Sequence, residues 1–175
     1  RTETSTSSQE GQSSESVSIF DSQSHLIEYT TTQRTNIGGV TKPTYYYSNI
    51  GSNSHAQTWN YDTAGHLLNS QVQDSHSYVD PQGVAHEHVN TTVFDPQETV
   101  LYSDSSDTSI IDGIKYVYQS HTNADGNSGQ DKQFANGELI QQNTWTSVSV
   151  NNSDGTRTDT REYVYLDKHL ATQIK

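Results

Sequence analysis

The chain has 175 residues, nine Lys or Arg against 21 Asp or Glu, a formal charge of −12 with histidine neutral, and a hydrophobic share of 29%. That share, against a usual ~45–50% that also counts Gly, excludes a thick core, and no apolar run approaches the ~18 residues of a membrane-spanning helix. Cys and Met are absent, which excludes disulfides, thiolate nucleophiles and Cys-ligated metals. Nine scattered basic residues argue against nucleic acid and anionic membranes as partners, because such binding depends on clustered Lys and Arg. The length fits one folded unit. An acidic, Cys-free chain rich in Ser, Thr, Asn and Gln is expected at an extracellular or cell-surface location, most often bacterial. It starts at Arg1 with neither an initiator Met nor an apolar signal segment, which reads as a mature product or an excised piece.

Arg1–Glu15 contains no apolar side chain and cannot offset its ordering entropy by burial. It is expected to be a disordered tail, a linker or a donor segment ahead of a single β domain over 16–175. From Ser16 onward the pattern is period-two alternation of Val, Thr, Tyr and Ile, without a helical stripe or helix caps. One kind of turn follows an aromatic residue and precedes a small apolar cluster. Examples are Phe20-Asp21 before Leu26-Ile27, Tyr61-Asp62 before Leu67-Leu68, Phe94-Asp95 before Val100-Leu101, Phe134 before Leu139-Ile140, and Tyr165 before Leu170. The second kind comprises Gly38-Gly39, Asp80-Pro81-Gln82-Gly83, loops at 103–113 and 123–131, and Asn152-Ser153-Asp154-Gly155. These use Gly, Pro, Asn and Asp where a hairpin reverses. The aromatic positions fall 41, 33, 40 and 31 residues apart, a degenerate repeat of two strands and two turns. The spacing predicts an all-β, up-and-down antiparallel meander of about ten to twelve long strands, as a sandwich, a barrel or a partly single-layered sheet.

Tyr61-Asp62-Thr63-Ala64-Gly65-His66-Leu67 resembles the Tyr-Asp-x-x-Gly-x-Leu core of the RHS or YD repeats of bacterial toxin shells and surface proteins. It covers one copy, with His66 where those repeats usually carry Arg. The resemblance implies a β-shell or surface structural role and no catalysis.

Three residue classes can carry chemistry. Of eight histidines, His86 and His88 stand at i and i+2. On a strand they would point the same way and could share a divalent metal. The eleven tyrosines include the i, i+2 pairs Tyr45/Tyr47, Tyr116/Tyr118 and Tyr163/Tyr165. If their strands are neighbours, these rings could form a ladder for glycan stacking, subunit contact or haem. Asp104, Asp107 and Asp112 gather in one segment, while Asn123, Asp125, Asn127 and Asp131 form an oxygen-rich calcium candidate without the regular calcium-loop spacing.

Enzyme signatures are missing: no Gly-x-Ser-x-Gly elbow, phosphate-cradling glycine loop or dinucleotide fingerprint occurs. The expectation is an extracellular structural or adhesive module without enzymatic activity. It would be a self-assembling surface or matrix fibre subunit, with calcium the candidate cofactor and a second copy or another surface protein the partner. The alternative is a secreted ligand-binding module in which Tyr and His hold a glycan or haem.

Overall fold

A computed structural model describes the backbone of residues 1–124, 128–151 and 157–167, with side chains described up to 147 and at 160 and 162. It is all-β. Twelve antiparallel strands pair in sequence order: β1 (Thr2–Gln9), β2 (Gln12–Phe20), β3 (Leu26–Ile37), β4 (Val40–Ile50), β5 (Asn53–Tyr61), β6 (Leu67–Val79), β7 (Ala85–Phe94), β8 (Val100–Ile111), β9 (Ile114–Asn123), β10 (Ser128–Ala135), β11 (Glu138–Asn151) and β12 (Arg157–Asp167). No helix occurs among the described residues, and so none is long and apolar enough to cross a membrane. The order is open, with β1 and β12 at its two ends. Contacts divide the chain into two compact units. Unit 1 comprises Arg1–Tyr78 with Val89–Val100, and unit 2 Val79–His88 with Leu101–Lys175.

The expected tail is a hairpin. Thr2–Gln9 pairs residue for residue with Gln12–Ile19, turning at Gly11 with φ +77°. Apolar burial does not drive this pairing, since every residue of β1 is exposed. What Ser and Thr supply is a fully satisfied ladder on one side and a β-compatible side chain at every position.

Neither unit shows a sealed core among the described residues. Among the described residues no side chain is fully buried, and the hydrophobic ones that come nearest are Val93 and Trp145 at 7% and 8% exposure. The main chain therefore carries most of the organisation, and the turns set its register. In four of them, starting at Asp21, Asp62, Asp80 and Asp95, one geometry recurs. The Asp N–H donates to the carbonyl four residues on, at 2.9 Å each time. The N–H three residues on returns a bond to the Asp carbonyl at 3.0–3.3 Å. The Asp Oδ1 accepts the N–H of the fifth residue at 2.8–2.9 Å. The fourth residue sits in the left-handed region: Ser24 at +66°, Gly65 at +88°, Gly83 at +84° and Glu98 at +63°. Asp is needed because its short carboxylate reaches main-chain donors that no strand partner can satisfy.

The turn at Asp80, which follows Val79, thus takes the geometry of those after Phe20, Tyr61 and Phe94. The one after Phe134 does not: it is a two-residue reversal at Asn136-Gly137, with φ +48° and +82°. Three of the copies share a cross-strand pair. Register shifts at Phe20, Tyr61 and Phe134 set each ring opposite a leucine, as Phe20↔Leu26, Tyr61↔Leu67 and Phe134↔Leu139. Arg1 and Lys42 lie over the first two rings, 5.2 and 5.1 Å from their centroids. Residues 103–111, expected as loop, form most of β8, with the turn confined to Asp112-Gly113.

In unit 2 the Trp145 ring lies over Gly129, its direct cross-strand partner. A Cβ on Gly129 would meet the His121 carbonyl oxygen and come within 2.5 Å of the Trp145 ring. The main-chain contact cannot be relieved by a rotamer change, so Gly129→Ala should destabilise unit 2 by about 1–3 kcal/mol. Glu98→Gly should have the opposite sign. Relief of left-handed strain, ~1–2 kcal/mol, exceeds the ~0.5–1 kcal/mol entropic cost of glycine, which leaves a gain of about 0.5–1 kcal/mol. Urea denaturation of both variants checks the two signs together.

Candidate functional site

The first feature is an edge. Arg1 and Phe20 exchange both main-chain hydrogen bonds, 2.8 and 2.9 Å long. Bonded and non-bonded pairs alternate along an antiparallel ladder, so Glu3, Ser5, Ser7 and Gln9 also bond to β2. The N–H and C=O groups of Thr2, Thr4, Thr6 and Ser8 then point away from β2. Among the described strands β1 has β2 as its one neighbour. Edges are ordinarily guarded by Lys, Pro, a bulge or an inward charge. β1 has no Lys, Pro or register shift, and its single charge, Glu3, is paired with Arg1.

Histidine–carboxylate pairing is the second. Three contacts follow directly from cross-strand register. His55 meets Asp74 at 2.7 Å, His121 meets Asp104 at 2.6 Å, and His76 meets the Asn53 side-chain oxygen at 2.6 Å. Two more are built into turns, where His25 and His66 approach the second carboxylate oxygen of Asp21 and Asp62 at 3.1 and 2.9 Å. Hydrogen bonding holds both carboxyls below the usual aspartate range, from the His25 backbone N–H for Asp21 and from the His66 side chain for Asp62.

His86 and His88 do share a face, as their spacing required, but they converge on carboxylates. His86 lies between Asp107, 2.9 Å from Nδ1, and Asp80, 3.3 Å from Nε2, while His88 reaches Asp107 at 3.7 Å. Neutral imidazole can donate to one of these carboxylates, and imidazolium to both. The Asp107 hydrogen bond, opposed by burial and helped by Asp80, accordingly raises the His86 pKa. No group of three or more His, Asp and Glu among the described residues is arranged to hold a metal.

The calcium candidates are divided. Asp125 and Asn127 lie outside the described residues. Register places His121 opposite Gln130 and Ser120 opposite Asp131, so Asn123 and Asp131 occupy opposite faces. Asn123 bonds to Ser128 at 2.6 Å and His121 at 3.1 Å, and Asp131 accepts from Ser120 at 2.7 Å. The carboxylates of β8 are divided in the same way: Asp104 goes to His121 on one face and Asp107 to His86 on the other.

The tyrosine pairs lie on β4, β9 and β12, which are not neighbours in the strand order, so they form no common ladder. Tyr45 and Tyr47 share their face with Tyr29, which sequence spacing did not reveal. Tyr29 and Tyr47 centroids are 6.2 Å apart, and Tyr29 donates to Ser16 at 3.2 Å. Burial first, then Tyr47 and Tyr29, raises the Tyr45 pKa. Separate from these rings, a polar hollow of about 290 Å³ is bordered by Ser7, Gln9, Gln12, Gln33, Arg34 and Thr44. Tyr116 and Tyr118 share a face of β9, where burial and then Asp131 raise the Tyr118 pKa. Tyr163 and Tyr165 stand in register with Trp145 and Asn143, but their side chains lie outside the described residues.

No family model, curated protein or solved structure matches the chain. The likeness at Tyr61–Leu67 has a local account: Asp62 is the turn acceptor, Gly65 supplies the positive φ, and Tyr61 lies opposite Leu67.

A raised pKa makes the His86 contribution to stability fully present below the ordinary histidine range and lost as pH rises through the folded value. His86→Gln should therefore lower the urea midpoint of unit 2 more at about pH 5.5 than at about pH 8.5. Equal losses at both would count against the bridged imidazolium.

Proposed function

We propose that the chain is an extracellular structural or adhesive β module whose copies associate edge to edge, as in a surface or matrix fibre. The observation that carries this reading is the unguarded outer side of β1, where four residues present outward donors and acceptors. A second strand satisfies such groups without new side-chain chemistry. Exposed apolar side chains give the same direction: in unit 1 Leu26, Ile27 and Ile50 are about half exposed, and in unit 2 Ile110 and Ile111 flank a turn uncovered. Burying them against a neighbour would add to stability in proportion to the apolar area removed from water. Calcium stays a candidate ligand of the 123–131 segment.

A second reading is favoured by the polar hollow between β1 and β4, whose amides and hydroxyls, with the Arg34 guanidinium, suit a polar glycan. The readings differ in what concentration does. Sedimentation velocity over a hundredfold concentration range, at several pH values from mildly acidic to neutral, should show species that grow with concentration. Thr4→Pro combined with Thr6→Pro should abolish the growth, because each removes an outward N–H and no bond to β2. A concentration-independent monomer at every pH would overturn edge association and favour the glycan reading.

A further inference from the structure

The outward edge of β1 belongs to a unit whose negative charge histidine can reduce by two thirds. Unit 1 carries three basic side chains, Arg1, Arg34 and Lys42, against nine acidic ones, seven up to Tyr78 together with Asp95 and Glu98. The formal charge is −6, and protonation of His25, His55, His66 and His76 would bring it to −2. Histidine is the side chain whose charge ordinarily changes between about pH 5 and 8. Two copies meeting along β1 bring two of these units together, so their mutual repulsion depends on histidine protonation.

The structure shows where the added charges would sit. His25 faces Asp21 within one turn, and His66 faces Asp62 within another, with Lys42 donating to the Gly65 carbonyl at 2.6 Å beside it. His55 faces Asp74 from β6, and the Tyr46 ring of β4 lies 6.1 Å away. His76 faces Asn53 from β5 and stacks on Tyr78 at 5.6 Å. None of these contacts uses an outward main-chain group of β1, and the His25 and His66 side chains are 72% and 79% exposed. Protonation can thus lower the charge of the unit without opening the ladder: three imidazoliums gain a carboxylate partner and the edge keeps its geometry.

We propose that edge pairing of β1 with a second copy of this chain is acid-gated, weak at neutral pH and strengthened as the unit 1 histidines take up protons. The inference rests on the edge-association reading and adds its control. Uncontrolled growth of a strand edge is a hazard, and a histidine-dependent charge confines growth to acidified surroundings.

The test is sedimentation velocity of the full chain at about pH 7.5 and about pH 5.5, at constant ionic strength, with far-UV circular dichroism to confirm that each variant keeps its sheet. Association should be roughly tenfold tighter or more at the acidic pH, about 1.4 kcal/mol per tenfold. The variant His25→Gln, His55→Gln, His66→Gln, His76→Gln should lose most of that difference. His25→Lys with His66→Lys, which fixes two of the charges, should move the onset toward neutral pH. Equal association at both pH values, or an acid response unchanged in the Gln variant, would overturn the gate and leave edge association standing. No association at either pH would overturn both. Acid association that persists with Thr4→Pro and Thr6→Pro would mark isoelectric clumping and overturn acid-gated edge pairing.

Discussion

Main-chain hydrogen bonding between sequence neighbours is the constraint on which this structure depends. A compact domain ordinarily gains most of its stability by sealing apolar side chains from water. Here no described side chain is fully buried, so each strand is held by the ladder to the next and by half-buried cross-strand pairs. The long strands follow from this. Each additional residue adds ladder bonds without demanding more core, and β6 and β11 reach 13 and 14 residues. The Asp-capped turns and the aromatic–leucine pairs fix where each ladder starts, which matters because a slip of one residue exchanges the faces of a strand.

The same shortage of apolar cover shapes the electrostatics. Carboxylates distributed over thin strands cannot withdraw into a core or gather in a pocket. They find partners across the ladder, and histidine is the partner available: His25, His55, His66, His86, His88 and His121 each lie against an aspartate. One side-chain type therefore links cross-strand cohesion to the charge of the whole surface. Protonating all eight histidines would take the chain from −12 to −4.

The fold was legible because its two signals are local. Period-two alternation marks strands, and Gly, Asn and Asp mark reversals, so the meander and its approximate strand number follow from the sequence. The β1 hairpin did not, because counting apolar residues measures burial, and β1 forms by backbone pairing and small β-compatible side chains. Asp104 and Asp107 looked like loop ligands for a similar reason. Their partners, His121 and His86, are 17 and 21 residues away, and which face each aspartate takes is fixed by register. The shared direction of His86 and His88 and of Tyr45 and Tyr47 was readable from spacing alone. Tyr29 beside Tyr47, and the carboxylates around His86, needed the pairing of distant strands.

The unbroken sequence order of the strands also bears on how the chain acquires its structure. Each strand needs only the one before it, so the loops to be closed are short hairpins, and no strand waits for a distant segment. Folding can advance by accretion as the chain emerges from its N-terminal end. Each finished hairpin then offers its trailing edge as the template for the next, so a duplicated two-strand segment could be inserted between existing strands without rearranging those already paired.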